Sequence, residues 1–530
     1  LLLKPLPRIA NLRPINQLPM SVVVRFAPSP TGPLHIGGVR TALYCYLLAK
    51  QQGGRFILRI EDTDRTRFVP GAEEHIKGGL SWIGVEPDEG PGIGGEFGPY
   101  RQSERAESGL YKKFAEKLLA EGNAYYAFDT SEELDAMRAR LKDAGSSVQQ
   151  YNAATRGEMK NSLTLSAEEV QRRIDAGERY VVRMKMPENR EVTFTDMVRG
   201  EVTFNTSQLD DKILLKGDGM PTYHLAVVVD DYHMGVTHII RGEEWVSSTP
   251  LHICLYEALG WKDKIPVFVH PPLILNPNGK GKMSKRQGDK LGFSVFPIEW
   301  TNPETEQHSS GFREDGYLPE AMLNFLALQG WNPGNDEEIM SKDRLIELFS
   351  LERINRSASN FDLNKLNWFN QSYIREVFSE EKLLGLLKED LSHRDLPEKD
   401  DAYLQSFIGL MKERVSKISE FATEGSYFFQ APEEYNEKMA RKQWKENTPD
   451  IMQALKEKFD AAENWNRDAL YAGFESLAEE KELGKGRILA PLRLALTGVP
   501  GGPDAFEIAA LLGKVETFNR IDTAIEKLGA

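Results

Sequence analysis

The segment Ser21–Lys50, SVVVRFAPSPTGPLHIGGVRTALYCYLLAK, constrains the fold more than any other stretch. Ser21–Ala27 is a short β-branched run, the pattern of a buried strand. Pro28–Gly38 holds three prolines and three glycines, so its backbone turns sharply and can approach a ligand closely. Val39–Lys50 carries good helix formers with apolar residues three and four apart, which predicts a helix. A strand, a glycine-containing turn and a helix leave the first helical N–H groups pointing above the strand end, where an anion can bind. His35 lies in the turn just before that helix. On its own, the segment also fits an ordinary βα turn whose histidine caps the helix.

The chain continues in the same style. Gly53-Gly54 ends the helix, and Arg55–Ile60 predicts a second strand running into the acidic cluster Glu61-Asp62-Thr63-Asp64. Acids at a strand end beside such a turn sit where doubly wound α/β sheets bind ligands. Glu73–Ile83 and Ser103–Glu121 read as helices. Between them, Gly90, Gly92 and Gly95 match GxGxxG, but no strand precedes them and no helix follows at once, so the match is rejected as a surface loop. From Tyr125 to Thr206, helical stretches (131–144, 166–176) mix with β runs (180–186, 191–194), the pattern of a small α+β insertion. Strand signals resume at Lys212–Leu215, at Leu225–Val229 before Asp230-Asp231, and at His238–Arg241.

The resulting fold class is α/β: a Rossmann-type parallel-sheet domain split by an α+β insertion, then an all-helical C-terminal region. Its expected boundaries are 20–96 and 207–270 for the two Rossmann-type halves and 97–206 for the insertion. Residues 271–372 follow with a cation-dense turn at Asn276–Arg286, and 373–530 are helical. No internal repeat of 20–50 residues is present.

At 530 residues the chain has room for three or more domains. No apolar run approaches the roughly 18 residues that a membrane helix requires. Two cysteines, Cys45 and Cys254, exclude a disulfide framework and a cysteine zinc site, and they suit a reducing cytosol. The net charge of −14 argues against a nucleic-acid partner only weakly, because local patches decide binding. Residues 1–19 carry Lys4, Arg8 and Arg13 without an acid, fitting either an organelle transit remnant or an extension ahead of Met20. The second reading is preferred, since Met20 immediately precedes the first strand.

Three separated features could converge on a nucleotide: the His35 turn, the Glu61 cluster and the lysine turn. Phosphate oxygens need donors and positive charge. No GxxxxGK[ST] occurs, so a P-loop is not the means. His35 with its helix N-terminus could hold one side of a triphosphate, and Lys282 and Lys285 could close over the other.

The motifs RFAPSPTGPLHIGG (Arg25–Gly38) and Lys282-Met283-Ser284-Lys285-Arg286 resemble the two signatures of class I aminoacyl-tRNA synthetases. RIEDTDR, GPYRQSER and TYHLAVVVDD are similar to the glutamyl-tRNA synthetase family in particular. Many class I enzymes have a second histidine where Gly38 stands.

The resemblance implies roles. His35, Lys282 and Lys285 are the expected catalytic residues, with Lys285 on the leaving pyrophosphate. Ser29, His35, Gly37, Gly38, Glu244, Trp245, Ile274 and Lys285 would bind ATP. Arg25 and Arg241 would take the carboxylates of glutamate, with Ala27, Ser29 and Tyr223 lining the pocket and Glu61 pairing with the ammonium. The implied reaction forms glutamyl-adenylate and pyrophosphate from glutamate and ATP with Mg²⁺, then esterifies the 2′-hydroxyl of the terminal adenosine of tRNA(Glu). Adenylate formation is expected to need bound tRNA. The insertion would grip the acceptor end, and the helical region would read the anticodon. No zinc is expected, because Tyr125–Thr130 lacks the cysteines that some relatives carry there. The expectation is a cytoplasmic monomer, or an organelle protein should 1–19 be a transit remnant.

Charge logic fits this assignment independently. Glutamate brings two negative charges and one positive, and an arginine fork suits a carboxylate. Against it stands an Arg25 merely paired with a structural acid. Rival readings are a glutaminyl-tRNA synthetase, disfavoured by the helical C-terminal part, a tRNA-modifying glutamyl transferase, which would be shorter, and a catalytically silent RNA-binding paralogue.

Overall fold

The structure, a computed structural model, describes residues 21–146, 148–279, 281–284, 286, 288, 290 and 292–529. Two compact units emerge: the described residues of Leu1–Asp315 with Met322–Asp362, and those of Gly316–Ala321 with Leu363–Ala530.

As far as Leu275, the strands and α-helices of the first unit are, in chain order, β1 (Val23–Phe26), α1 (Ile36–Gln51), β2 (Arg55–Leu58), α2 (Ala72–Trp82), α3 (Gln102–Glu107), α4 (Leu110–Ala120), β3 (Ala124–Ala127), α5 (Ser131–Asp143), α6 (Ala167–Asp175), β4 (Val181–Met184), β5 (Glu191–Asp196), β6 (Gly200–Asn205), β7 (Ile213–Leu215), α7 (Tyr223–His233), β8 (His238–Ile240), α8 (Thr249–Ala258), β9 (Val267–Val269) and β10 (Ile274–Leu275). Its main sheet has the order β2-β1-β8-β9-β5-β6. Every pairing in it is parallel except the β5–β6 hairpin at one edge. Parallel strands buried on both faces read as apolar runs, and all four residues of β1 are buried. The turn from α1 into β2 brings two backbones together. A Cβ at Gly54 would lie 2.0 Å from the carbonyl oxygen of Val22, so only glycine lets Arg55 N–H donate to that oxygen at 2.8 Å.

Four sequence expectations change. Helix α1 begins at Ile36 rather than Val39, because His35 caps it by accepting the Gly37 N–H on Nδ1; Gly37 and Gly38 therefore lie in its first turn. The predicted helix 103–121 is two, α3 and α4, separated at Gly109, whose φ of +78° ends the helical path. Leu225–Val229 is not a strand but the buried centre of α7. A short, wholly apolar run does not distinguish a buried strand from a buried helix. Finally, two β runs exchange sheets. β5, expected in the insertion, completes the main sheet together with β6, for which no strand was predicted, whereas β7, expected in the second catalytic half, pairs with β4 in a three-stranded antiparallel sheet. Local pattern marks a strand but not its partner. Strand β9 carried no sequence prediction.

The second unit is helical among its described residues, with helices such as Glu380–Ser392, Asp401–Met411, Thr448–Asp460, Arg467–Glu480 and Gly486–Thr497. After the Gly501-Gly502-Pro503 break, Asp504 caps Ala505–Leu512 by accepting the N–H groups of Phe506 and Glu507. This unit takes up the chain at Leu363, ahead of the expected boundary at 373.

Candidate active site

The carboxyl ends of the parallel strands meet at a cleft of about 670 Å³. Its lining includes Arg25, Ala27, Ser29, His35, Gly37, Gly38, Glu61, Tyr223, Arg241, Glu244, Trp245, Ile274 and Lys282. Every residue expected at the site is thus brought to one crevice except Lys285, which lies outside the described residues.

At the mouth of α1, the Nδ1 of His35 is occupied by the Gly37 N–H at 3.1 Å, so its proton resides on Nε2. That Nε2 is buried and has no hydrogen-bond partner among the described residues. Burial first, and then the Lys282 cation, lower the His35 pKa to about 4, so the ring is a neutral donor at pH 7. A Cβ at Gly38 would stand 2.9 Å from Leu34 Cδ1 and 3.4 Å from the Phe26 ring, so a larger residue there requires the Leu34 side chain to shift. Across the cleft, the turn after β10 folds back, with Met283 N–H donating to the Ile274 carbonyl at 3.1 Å. Lys282 Nζ reaches Glu244 Oε1 at 2.6 Å. Burial would raise the Glu244 pKa, but the Lys282 hydrogen bond, a backbone N–H and the Lys282 and Arg40 charges together outweigh it, and the carboxyl is held low. The Trp245 ring is exposed and lies 4.7 Å, centroid to centroid, from Tyr223.

Arg25 is not the free fork that the sequence suggested. Its Nε and Nη2 donate to the two oxygens of Asp231 at 3.0 and 3.2 Å, leaving Nη1 for a ligand. The same carboxylate accepts from the fully buried Arg59 at 2.7 Å, and Arg59 also donates to Glu61 at 3.0 Å. Burial opposes charge on Asp231, yet Arg25 and Arg59 hold its pKa below the usual carboxylate range. Glu61, by contrast, is raised by burial, with Arg59 and Arg25 offsetting only part. Asp230 is enclosed by Gln102, Arg105 and Tyr111, which bind it at 2.9, 2.6 and 2.8 Å.

Arg241 is partnered differently. It donates to Tyr223 Oη (2.9 Å), Thr249 Oγ1 (2.9 Å), His270 Nε2 (3.0 Å), His252 Nδ1 (3.3 Å) and the Trp245 carbonyl (3.4 Å). Among the described residues it has no direct carboxylate partner. Tyr223 accepts from Arg241, so its own O–H proton is available to a ligand oxygen. The sequence did not single out Arg59, His252, Thr249, His270 or Asp196. The only signal for His270 was its place after an unrecognised strand.

A parallel sheet with a capped strand–turn–helix, a lysine turn opposite it and a charged crevice at the carboxyl ends defines a class I synthetase catalytic domain. The chain belongs to the family of tRNA synthetases class I (E and Q), whose catalytic-domain profile matches residues 21–368. An anticodon binding domain profile matches residues 381–525. Among curated relatives, a glutamate–tRNA ligase of Cytophaga hutchinsonii is 50% identical over 95% of this chain and 97% of its own length. One from Bacteroides fragilis is 51% identical over 96% of this chain and 99% of its own. The crystal structure of a glutamate tRNA ligase from Elizabethkingia meningosepticum in complex with its amino acid matches with a TM-score of 0.91 and 47% identity. That match covers 96% of this chain and 100% of the other.

Proposed function

We propose that this protein is a glutamate–tRNA ligase. The observation that carries the reading is Arg241, a buried cation lining the cleft whose direct partners are all neutral. Such a cation calls for a ligand carboxylate, because a buried charge without a counter-charge is costly.

In this reading Arg241, with Tyr223 and the remaining Nη1 of Arg25, takes a carboxylate of glutamate, and Glu61 takes the ammonium. His35 donates Nε2–H to a phosphate oxygen of ATP, beside the first N–H groups of α1. Trp245 and the backbone at Ile274 border the adenosine. The α-carboxylate attacks the α-phosphorus and pyrophosphate leaves, with Lys282 and Lys285 neutralising charge on the phosphates. Magnesium, as the counter-ion of ATP, would supply further positive charge at those phosphates. The 2′-hydroxyl of the terminal adenosine of tRNA(Glu) then attacks the activated carbonyl, and AMP leaves. No protein nucleophile takes part; catalysis is positioning and electrostatics. The insertion is read as holding the acceptor end, and the helical unit as reading the anticodon. The chain is read as a cytoplasmic monomer, and no described helix is long and apolar enough to cross a membrane.

The test is ATP–pyrophosphate exchange with glutamate or glutamine, with and without tRNA(Glu). Glutamate should support exchange when tRNA is present. Glutamine should fall about 10⁴-fold lower, as expected where a buried polar group loses its partner. Exchange running equally well with glutamine would overturn the reading.

A further inference from the structure

The order of the main sheet makes neighbours of three residues far apart in sequence. Arg241 follows β8, His270 follows β9, and Asp196 ends β5, and these strands lie side by side. All three residues are buried, with exposures of 7%, 0% and 1%. Arg241 Nε donates to His270 Nε2 at 3.0 Å. A guanidinium has no acceptor, so Nε2 carries no proton and the ring proton sits on Nδ1. That Nδ1 lies 2.6 Å from Asp196 Oδ2. The other carboxylate oxygen, Oδ1, accepts the N–H groups of Val198 at 2.9 Å and Arg199 at 2.8 Å, which fixes the carboxylate against rotation.

We propose that Asp196 and His270 are positioning residues that set the specificity of Arg241 for a carboxylate. The pair clamps Nε, so that the two Nη groups face Tyr223, Thr249 and the cleft. It also inserts a neutral imidazole between Arg241 and the nearest carboxylate on that side. Were Asp196 in direct contact, the arginine would be satisfied as Arg25 is by Asp231, and a ligand carboxylate would have to compete. Across one imidazole, Asp196 still offsets part of the cost of burying the cation but leaves the Nη groups bonded only to neutral partners, which a ligand carboxylate can outcompete. This rests on reading the cleft as the glutamate site.

Asp196→Asn tests it with little change of shape. With its oxygen kept on the Val198 and Arg199 N–H groups, the amide NH₂ faces His270 Nδ1. The ring proton must then move to Nε2, where it opposes Arg241 Nε–H. Flipping the amide instead sets NH₂ against two backbone donors. A buried donor pair of this kind should raise the KM for glutamate about 10- to 100-fold in tRNA-dependent ATP–pyrophosphate exchange. The KM for ATP should change less than about threefold, and the preference for glutamate over glutamine should fall by the same factor as glutamate binding. His270→Gln, whose amide can accept from Arg241 and donate to Asp196, should retain most glutamate affinity, whereas His270→Phe should behave like Asp196→Asn. An Asp196→Asn enzyme with unchanged glutamate KM, or with glutamate and ATP KM rising together, would overturn the proposal. If Asp196→Asn does not fold, the glutamine and phenylalanine variants at 270 decide, and equal behaviour of those two overturns it. A wild-type enzyme that fails to exchange with glutamate would strike the functional reading instead.

Discussion

Arg25 and Arg241 stand at the carboxyl ends of adjacent strands, β1 and β8, both nearly inaccessible to solvent, and they are partnered in opposite ways. On the β1–β2 side, Arg25 and Arg59 share Asp231, and Arg59 also holds Glu61, so the charges largely cancel within the protein. On the β8–β9–β5 side, Arg241 is ringed by a tyrosine, a threonine and two imidazoles. The first arrangement holds the fold together at its crevice. The second leaves a buried charge with neutral direct partners among the described residues, which the proposed function reads as a place for a ligand carboxylate. In the proposed reading, the same residue type at nearly the same depth is tied into the fold with one Nη left for the ligand on β1, and is given over to recognition after β8.

Breaking the two sides should give different failures. Arg59→Met strands Asp231 and Glu61 with less compensation, and removing one partner from a buried ion network costs about 3–5 kcal/mol, to be read from urea unfolding. Arg241→Met strands no carboxylate directly, so its unfolding free energy should move by less than about 2 kcal/mol. The kcat/KM for glutamate in exchange should nevertheless fall by about 10³-fold, as for loss of an obligatory polar contact. A large stability loss at Arg241 with little kinetic change would reverse the comparison.

His35→Asn refines the picture on the nucleotide side. Asparagine is itself a good helix cap, so α1 should be retained, while the Nε2–H donor is lost and the exchange rate should fall about 10²-fold. The same variant carries a smaller pH signature. The folded-state pKa of His35 is lowered from 6.5 to about 4, so the unfolded chain binds the proton first as pH drops. The stability linked to this neutral ring is fully present above about pH 6.5 and is lost toward pH 4, because between those values only the unfolded state is protonated. Unfolding free energy measured across that window should depend on pH less steeply in His35→Asn than in wild type.

Much of the site was legible because it lies in contiguous segments. The strand–turn–helix around His35 and the acids after β2 each declare themselves within one unbroken stretch, and His35 and Glu61 from them line the cleft. What stayed hidden depends on which strand lies beside which. Asp196 was read as part of the insertion because its hairpin is local, whereas its pairing with β9 is not. His270 could not be linked to it without that pairing. Asp230-Asp231 was visible as a pair but was set after a strand, when it belongs to the last turns of α7, facing Arg25, Arg59 and Arg105. For the same reason, the sequence could not tell whether Arg25 had an acid of its own.

The contact between Lys282 and Glu244 has a consequence for how a nucleotide gets in. Both groups are half open to solvent, at 56% and 39% exposure, and an ion pair so placed contributes only about 0–1 kcal/mol. A catch that weak is undone by thermal motion, and a polyphosphate offers the ammonium several oxygens in exchange for one carboxylate. Entry should therefore meet almost no thermodynamic resistance from this loop, and moderate salt, which loosens the catch, should hasten the first encounter less than it weakens the grip on the phosphates afterwards.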